Sequence, residues 1–195
     1  MKLSQWPLVV DPDPEWPNQF RRLRDKVWPA VSDFALAIEH VGSTSAPGLA
    51  AKPVIDLDIV IPSRNEMSIA VAQLGRIGYV HLGDLGIEDR EAFRTPEVLP
   101  VHHLYVCPRD SVALINHLAL RDHLRAHPAD VAAYAALKKR LAEQFRGDID
   151  GYVEDKTGFI LAILAQYGFT ADRLDSIRRA NQARRGVGWQ PAAGC

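Results

Sequence analysis

Cys107 and Cys195 are the only cysteines in this chain of 195 residues. They exclude a disulfide framework and a cysteine-based zinc site. Cys107 closes an apolar run and is expected to be a buried thiol, while Cys195 is the last residue. Long apolar runs are also missing. None approaches the roughly 20 residues a membrane span needs, so no membrane partner is expected. The first residues follow no leader pattern, because Pro7, Pro12, Pro14 and Pro17 interrupt them. Cytoplasmic residence is the expectation. Neither sign of charge dominates: Lys and Arg number 23, Asp and Glu 24, for a formal net charge of −1. That balance gives no reason to expect a long nucleic acid tracked along its backbone. Arg178, Arg179, Arg184 and Arg185 read as a solvated helix end. No repeat or low-complexity segment is present.

What remains is an ordinary globular composition, 47% hydrophobic and 24% charged. The length fits a single domain over residues 1–195. The pattern divides it into a mixed α/β portion, 1–108, and a helical portion, 109–195. Phe20, Leu23, Val27 and Val31 recur at helical spacing, and Pro29 must kink or end that helix. Trp6, Trp16 and Trp28 lie at or near it and are expected to anchor the core. Leu36 to Val41 and Pro53 to Ile61 read as core strands. Asn65 to Ile77 reads as a helix with Ile69, Ala72 or Gln73, and Arg76 on successive turns. Tyr79 to Leu82 and Val101 to Cys107 read as further strands. Gly83 to Pro100, between them, is turn-rich and fits a hairpin plus a mobile loop. Helices are expected over Ser111 to Ala126, Ala129 to Phe145, Tyr152 to Tyr167 and Ala171 to Arg184.

The most informative stretch runs from Ala37 to Ile61. A strand leaves through His40-Val41-Gly42-Ser43-Thr44-Ser45. Twelve residues after Gly42-Ser43, a second strand carries Asp56-Leu57-Asp58. Strand side chains alternate, so Asp56 and Asp58 share one face while Ile55, Leu57 and Ile59 share the other. Glycine permits close approach and positive φ. Ser43, Thr44 and Ser45 add three hydroxyls. Two carboxylates beside such a turn suit a magnesium-nucleotide: carboxylate and phosphate oxygens hold the metal, and the turn holds phosphate. Lys156-Thr157 is not a phosphate loop, because Asp155 stands where that motif needs glycine. His123 and His127 share a helical face but lack H-E-x-x-H spacing, so capping or solvent exposure is expected of them. Arg121-Asp122 reads as an ion pair orienting the helical portion.

On these residues the chain resembles the polymerase-beta-like nucleotidyltransferase superfamily, whose signature is Gly-Ser followed by Asp-x-Asp. More narrowly, it is identified as a member of the GrpB family. The matching segments are DPDPEWPNQF (Asp11 to Phe20), Ile38 to Ile61, HHLYV (His102 to Val106), HLALRDHLRAHP (His117 to Pro128), YAALKKRLA (Tyr134 to Ala142) and GYVEDKTGFI (Gly151 to Ile160). The resemblance implies an α+β fold: a nucleotidyltransferase-like mixed β-sheet flanked by helices, with a helical C-terminal half. It also implies transfer of a nucleoside monophosphate from a nucleoside triphosphate to a small-molecule or protein acceptor that the sequence does not name. Asp56 and Asp58 would hold Mg2+, and Gly42 and Ser43 would clasp the β- and γ-phosphates. Lys156 would complete the clamp, with Lys52, or Arg90 and Arg94, as further candidates. Many nucleotidyltransferases place a third carboxylate on a later strand. Here that strand carries His103 and Tyr105 and no acid, which favours one strong metal site. His103 has three open roles: metal ligand, general base or structural histidine. The alternative is an inactive nucleotide-binding module. A further alternative is an accessory protein in coenzyme A metabolism, since domains resembling GrpB are fused to dephospho-coenzyme A kinase in some bacteria.

Overall fold

The computed structural model describes residues 9–146 and 148–182. The order is α1 (Trp16–Val31), β1 (Ala37–Val41), β2 (Ile55–Ile61), α2 (Met67–Arg76), β3 (Val80–Gly83), β4 (Glu91–Arg94), β5 (His102–Pro108), α3 (Val112–Ala126), α4 (Pro128–Gln144), α5 (Ile149–Gln166) and α6 (Ala171–Gln182). Single 3-10 turns at Ser43–Ser45 and Arg64–Glu66 follow β1 and β2. The strands form one mixed sheet in the order β1-β2-β5-β4-β3. β2 and β5 run parallel, and the other pairs are antiparallel. A parallel pair needs a long crossover, here made by α2 and the β3–β4 hairpin.

The alternation of β2 decides what each face of the sheet meets. Ile55, Leu57, Ile59 and Ile61 bury one face with Leu104 and Val106 of β5, against Leu23, Val27 and Val31 of α1 and Ala70 and Leu74 of α2. On the opposite face, Val60 and Cys107 meet Leu114 of α3. The thiol is buried, as expected. That cover lies over the C-terminal end of the two strands. At their N-terminal end Asp56 and His103 keep 24% of each side chain exposed. A second core joins Ala46 and Leu49, from the β1–β2 connection, to Leu124, Val131, Tyr134 and Ile163 of the helical portion.

Several boundaries differ from the sequence pattern. A capping box at Ser63 and Glu66 opens the 3-10 turn before α2; within α2, Ala70 and Leu74 face the core and Ile69 is 44% exposed. Glu91–Arg94 is the second arm of the hairpin and lies between β3 and β5. Tyr79 precedes β3 and packs into the core. Pro29 lies inside α1, which ends two residues later at Val31; its missing N–H leaves the Asp25 carbonyl without its helical donor. Trp16 anchors the core, whereas Trp28 is partly exposed. Arg178 and Arg179 pair with Asp175 on an exposed helix end. Trp6, Arg184, Arg185 and Cys195 lie outside the described residues.

Leu49 is fully buried in the second core. Leu49→Ala is expected to destabilise the protein by about 2–5 kcal/mol in denaturant unfolding, through the cavity it leaves.

Candidate functional site

The turn after β1 is shaped by one glycine. Gly42 has φ 69° and ψ −170°, a region occupied essentially by glycine alone. A β-carbon there would collide with the Asp56 carboxylate, so the turn and the acid lie against each other. Beyond Gly42 the turn uses its own hydroxyls. Ser45 Oγ donates to Gly42 O at 2.6 Å. His40 Nε2 donates to Thr44 Oγ1 at 3.0 Å, and Thr44 donates onward to Val54 O at 3.4 Å. Thr44 and Ser45 are buried and Ser43 is half-buried. His40 stacks on Phe20 with ring centroids 4.6 Å apart. Burial, with Arg125 and Arg121 assisting and Asp56 opposing, pulls its pKa down to about 4. α3 holds this turn from above: Arg125 Nε donates to Ser45 O at 3.0 Å, and Arg121 bonds Glu39 at 2.6 Å and His40 O at 3.3 Å. Arg121 also pairs with Asp122, the orienting role read from the sequence.

Asp56 and Asp58 do share a face, and each is matched to an imidazole. The β2–β5 register sets Asp56 beside His103 and Asp58 beside Tyr105. His103 Nδ1 donates to Asp56 Oδ1 at 2.6 Å. His117 Nδ1, from α3, donates to Asp58 Oδ2 at 2.7 Å. Burial alone would raise the Asp56 carboxyl, but His103, His117 and Lys156 outweigh it and hold the group below the usual range. Asp58 is 0% exposed, and its Oδ1 has no hydrogen-bond partner.

Three lysines gather at the Asp56 end. Burial and the charge of Lys156 push the Lys52 ammonium down to about 7, against the pull of Asp56. The same influences push Lys138 down to about 6. Lys138 is 2% exposed, its Nζ has no hydrogen-bond partner, and it lies 4.7 Å from the centre of the Tyr134 ring. Lys156 Nζ is 5.3 Å from the centre of the Tyr152 ring. Lys52 and Lys156 were legible as candidates; Lys138 and His117 were not. The signal for Lys138 lay in Val131, Tyr134, Lys138 and Leu141, a buried helical stripe that contains a lysine. Arg94 ends β4 exposed, and continuing the β4–β5 register sets it across from His103. Arg90, expected beside it in a mobile loop, is buried instead. His123 is buried too, not exposed: it donates to Asp130 at 2.7 Å and meets the Tyr167 hydroxyl at 3.1 Å. His127 takes the capping role, donating to His123 O at 2.8 Å.

Among the described residues no group of three or more His, Cys, Asp or Glu is arranged to hold a metal ion. Magnesium seldom uses such a cage. It binds through one or two carboxylates and completes its shell with water and substrate phosphate. Asp56 at the mouth and the unpartnered Asp58 Oδ1 behind it fit an ion that arrives with its nucleotide.

Comparison with solved structures defines the fold. The Cid1 poly(U) polymerase with MgGTP superposes over 78% of this chain and 50% of its own, with TM-score 0.55 at 13% identity. The sheet and flanking helices thus have a nucleotidyltransferase-like fold. The model of the family described as GrpB protein matches residues 7–166, and the chain belongs to that family. The crystal structure of the conserved protein GrpB from Enterococcus faecalis is 32% identical with TM-score 0.72, covering 83% of this chain and 100% of that one. UPF0157 protein YqkA of Bacillus subtilis is 35% identical over 75% of this chain, which spans 43% of that protein's length. A dephospho-CoA kinase of Mycolicibacterium paratuberculosis is 28% identical over 94% of this chain and 48% of its own length.

Gly42→Ala is expected to destabilise the protein by about 1–3 kcal/mol from backbone strain, measured by denaturant unfolding. Lys138 gives a pH signature. Its folded pKa of about 6 lies below its ordinary 10.5, so between those values the unfolded chain binds more protons. Stability therefore rises with pH across that window and stops changing with this group below it. Lys138→Met should flatten the slope and raise stability at pH 7 by about 1–3 kcal/mol. Unfolding measured from pH 5.5 to 9 checks both.

Proposed function

We propose that this protein is a nucleotidyltransferase that moves a nucleoside monophosphate from a nucleoside triphosphate to an acceptor. The observation that carries the reading is the cluster of Lys52, Lys138 and Lys156 beside Asp56, with a buried ammonium lacking any hydrogen bond. Burial and mutual repulsion draw protons off Lys52 and Lys138, and an anion beside them favours the charged form again. A polyphosphate supplies several negative charges at that spot. In this reading the lysines bind the β- and γ-phosphates, and Gly42 and Ser43 let the chain approach them closely. Thr44 and Ser45 shape the turn, and Arg94 borders the far side of His103.

Asp56, with Asp58 behind it, would hold Mg2+, which polarises phosphoryl oxygens and neutralises developing charge. His103, fixed by Asp56 at Nδ1, would take a proton from the acceptor at Nε2, a nitrogen buried in the free protein. Lys138 and Lys156 stabilise charge on the departing pyrophosphate. The kinship with a protein named dephospho-CoA kinase supports a second reading, an accessory nucleotide-binding role in coenzyme A metabolism. That role would keep the lysine site and need no turnover.

Calorimetry with a panel of nucleoside triphosphates and magnesium, paired with a pyrophosphate-release assay, separates the readings. Wild type should bind, and Lys138→Met should weaken binding about 10- to 100-fold. Asp56→Asn should keep binding without magnesium and lose pyrophosphate release by about 100-fold or more. Unchanged turnover in Asp56→Asn would sink the transferase reading, and binding without turnover in wild type would support the second.

A further inference from the structure

One buried cation, on the β4 side of the sheet, has no function in this scheme so far. Arg90 is 2% exposed, directly before β4. Its guanidinium carbon lies 4.3 Å from the centre of the Tyr105 ring. Nε and Nη2 are buried and make no hydrogen bond. Of the acids nearby, Asp89 pairs with Arg64, Glu91 accepts from His81 Nε2 at 2.7 Å, and Asp58, opposite Tyr105 in the β2–β5 register, accepts from His117 and bonds neither Arg90 Nε nor Nη2. Guanidinium stays protonated at any working pH, so this is a buried fork of donors with no anion of its own. Leaving such a charge unpaired is strongly unfavourable, and stacking on one ring offsets only part of that.

Its position gives it meaning. Tyr105 has His103 on one side and His117 on another, each ring centroid 6.2 Å away. The sheet order puts β4 beyond β5, on the side of Asp56 away from β1 and the turn. The lysines come from the turn side, on the β1–β2 connection and on helices α4 and α5, which pack against that connection. Basic groups therefore flank the Asp56–His103 pair from opposite sides. Phosphoryl transfer requires attacking and leaving oxygens in line across the reacting phosphorus. If the lysines hold the leaving side, Arg90 lies on the side from which the acceptor attacks.

We propose that the acceptor is anionic, and that an oxyanion on it, phosphate or carboxylate, is gripped by the Arg90 guanidinium with exposed Arg94 at the entrance. Paired N–H groups of a guanidinium match two oxygens of such a group. This rests on the nucleotidyltransferase reading for the word acceptor, but not for the oxyanion site. His103, which bonds Asp56 between the two basic groups, then faces a hydroxyl or amine elsewhere on the same molecule.

Titration calorimetry and thermal melting of the full chain with inorganic phosphate, and separately with acetate, test the site. The variants are Lys138→Met, which weakens the lysine site, and Lys138→Met combined with Arg90→Met or Arg90→Lys. In Lys138→Met, phosphate or acetate should still bind and raise the melting temperature. Adding Arg90→Met should weaken that binding at least tenfold and abolish the rise. Arg90→Lys, which keeps the charge but loses the fork, should fall between. Without anion, Arg90→Met should melt at or above its parent, because an unpaired buried charge has gone. A lower melting temperature with unchanged anion binding would make Arg90 a core strut and overturn the proposal. No anion binding in Lys138→Met would overturn it equally. Which anion binds better assigns the acceptor's group. No nucleotide enters these titrations, so failure of triphosphate binding leaves their result independent.

Discussion

The Asp56 carboxylate lies against the α-carbon of Gly42, and nothing larger than hydrogen fits between them. The rest of the site follows from that contact. The antiparallel register of β1 and β2 sets Val41 opposite Asp56, so the chain must leave β1 directly over the acid. A glycine conformation closed to other residues lets it turn there. The same turn delivers Ala46 and Leu49 to Leu124, Val131, Tyr134 and Ile163, and so decides where the helical portion docks. Lys138 and Lys156 ride on that portion. Their meeting with Asp56 is thus a consequence of a backbone path more than of any attraction between them.

Charge of both signs is buried around this point, and the two signs are handled differently. Each carboxylate has its own imidazole, Asp56 with His103 and Asp58 with His117. The cations are left short: Lys138 Nζ, Arg90 Nε and Arg90 Nη2 have no hydrogen-bond partner. Unsatisfied buried donors lower the stability of the free protein. An anion that supplies the missing acceptors recovers that loss on binding, which is how instability in the free state becomes affinity. The imbalance therefore has a direction, and it favours anionic ligands. In the proposed reading a polyphosphate meets the lysines and a second oxyanion meets Arg90.

The legible part of this site was local in sequence. Asp56 and Asp58 share a face because strand period is two, and that needs only seven residues, Ile55–Ile61. Gly42 announced a turn, and Lys52 lay close to it. The core strands of β1, β2 and β5 were marked by their apolar runs. What escaped the sequence was set by docking. Lys138 stands in an Ala-, Leu-, Lys- and Arg-rich helix, and its burial appears only once α4 packs with Tyr134 inward. His117 pairs with an acid 59 residues earlier, because α3 crosses the sheet there. Arg90 looked like part of a mobile loop, yet it is buried over Tyr105. In α2 the face toward the core is Ala70 and Leu74, with Ile69 outward.

Selectivity in such a site has an unequal distribution. An ammonium is a compact, rotatable charge with little directional preference, whereas a guanidinium is a rigid planar fork. Lysines 52, 138 and 156 would accept phosphate oxygens in many orientations, as a leaving polyphosphate requires while its charge redistributes. They say little about the base at the other end of the nucleotide. Arg90 is held by the Tyr105 ring in one orientation, so it accepts an oxyanion only from a limited range of directions. Discrimination should therefore be sharper for the acceptor than for the nucleotide. In the proposed reading, the side of the site that looks least catalytic in the sequence, the hairpin from β3 to β4, would decide which acceptor is chosen.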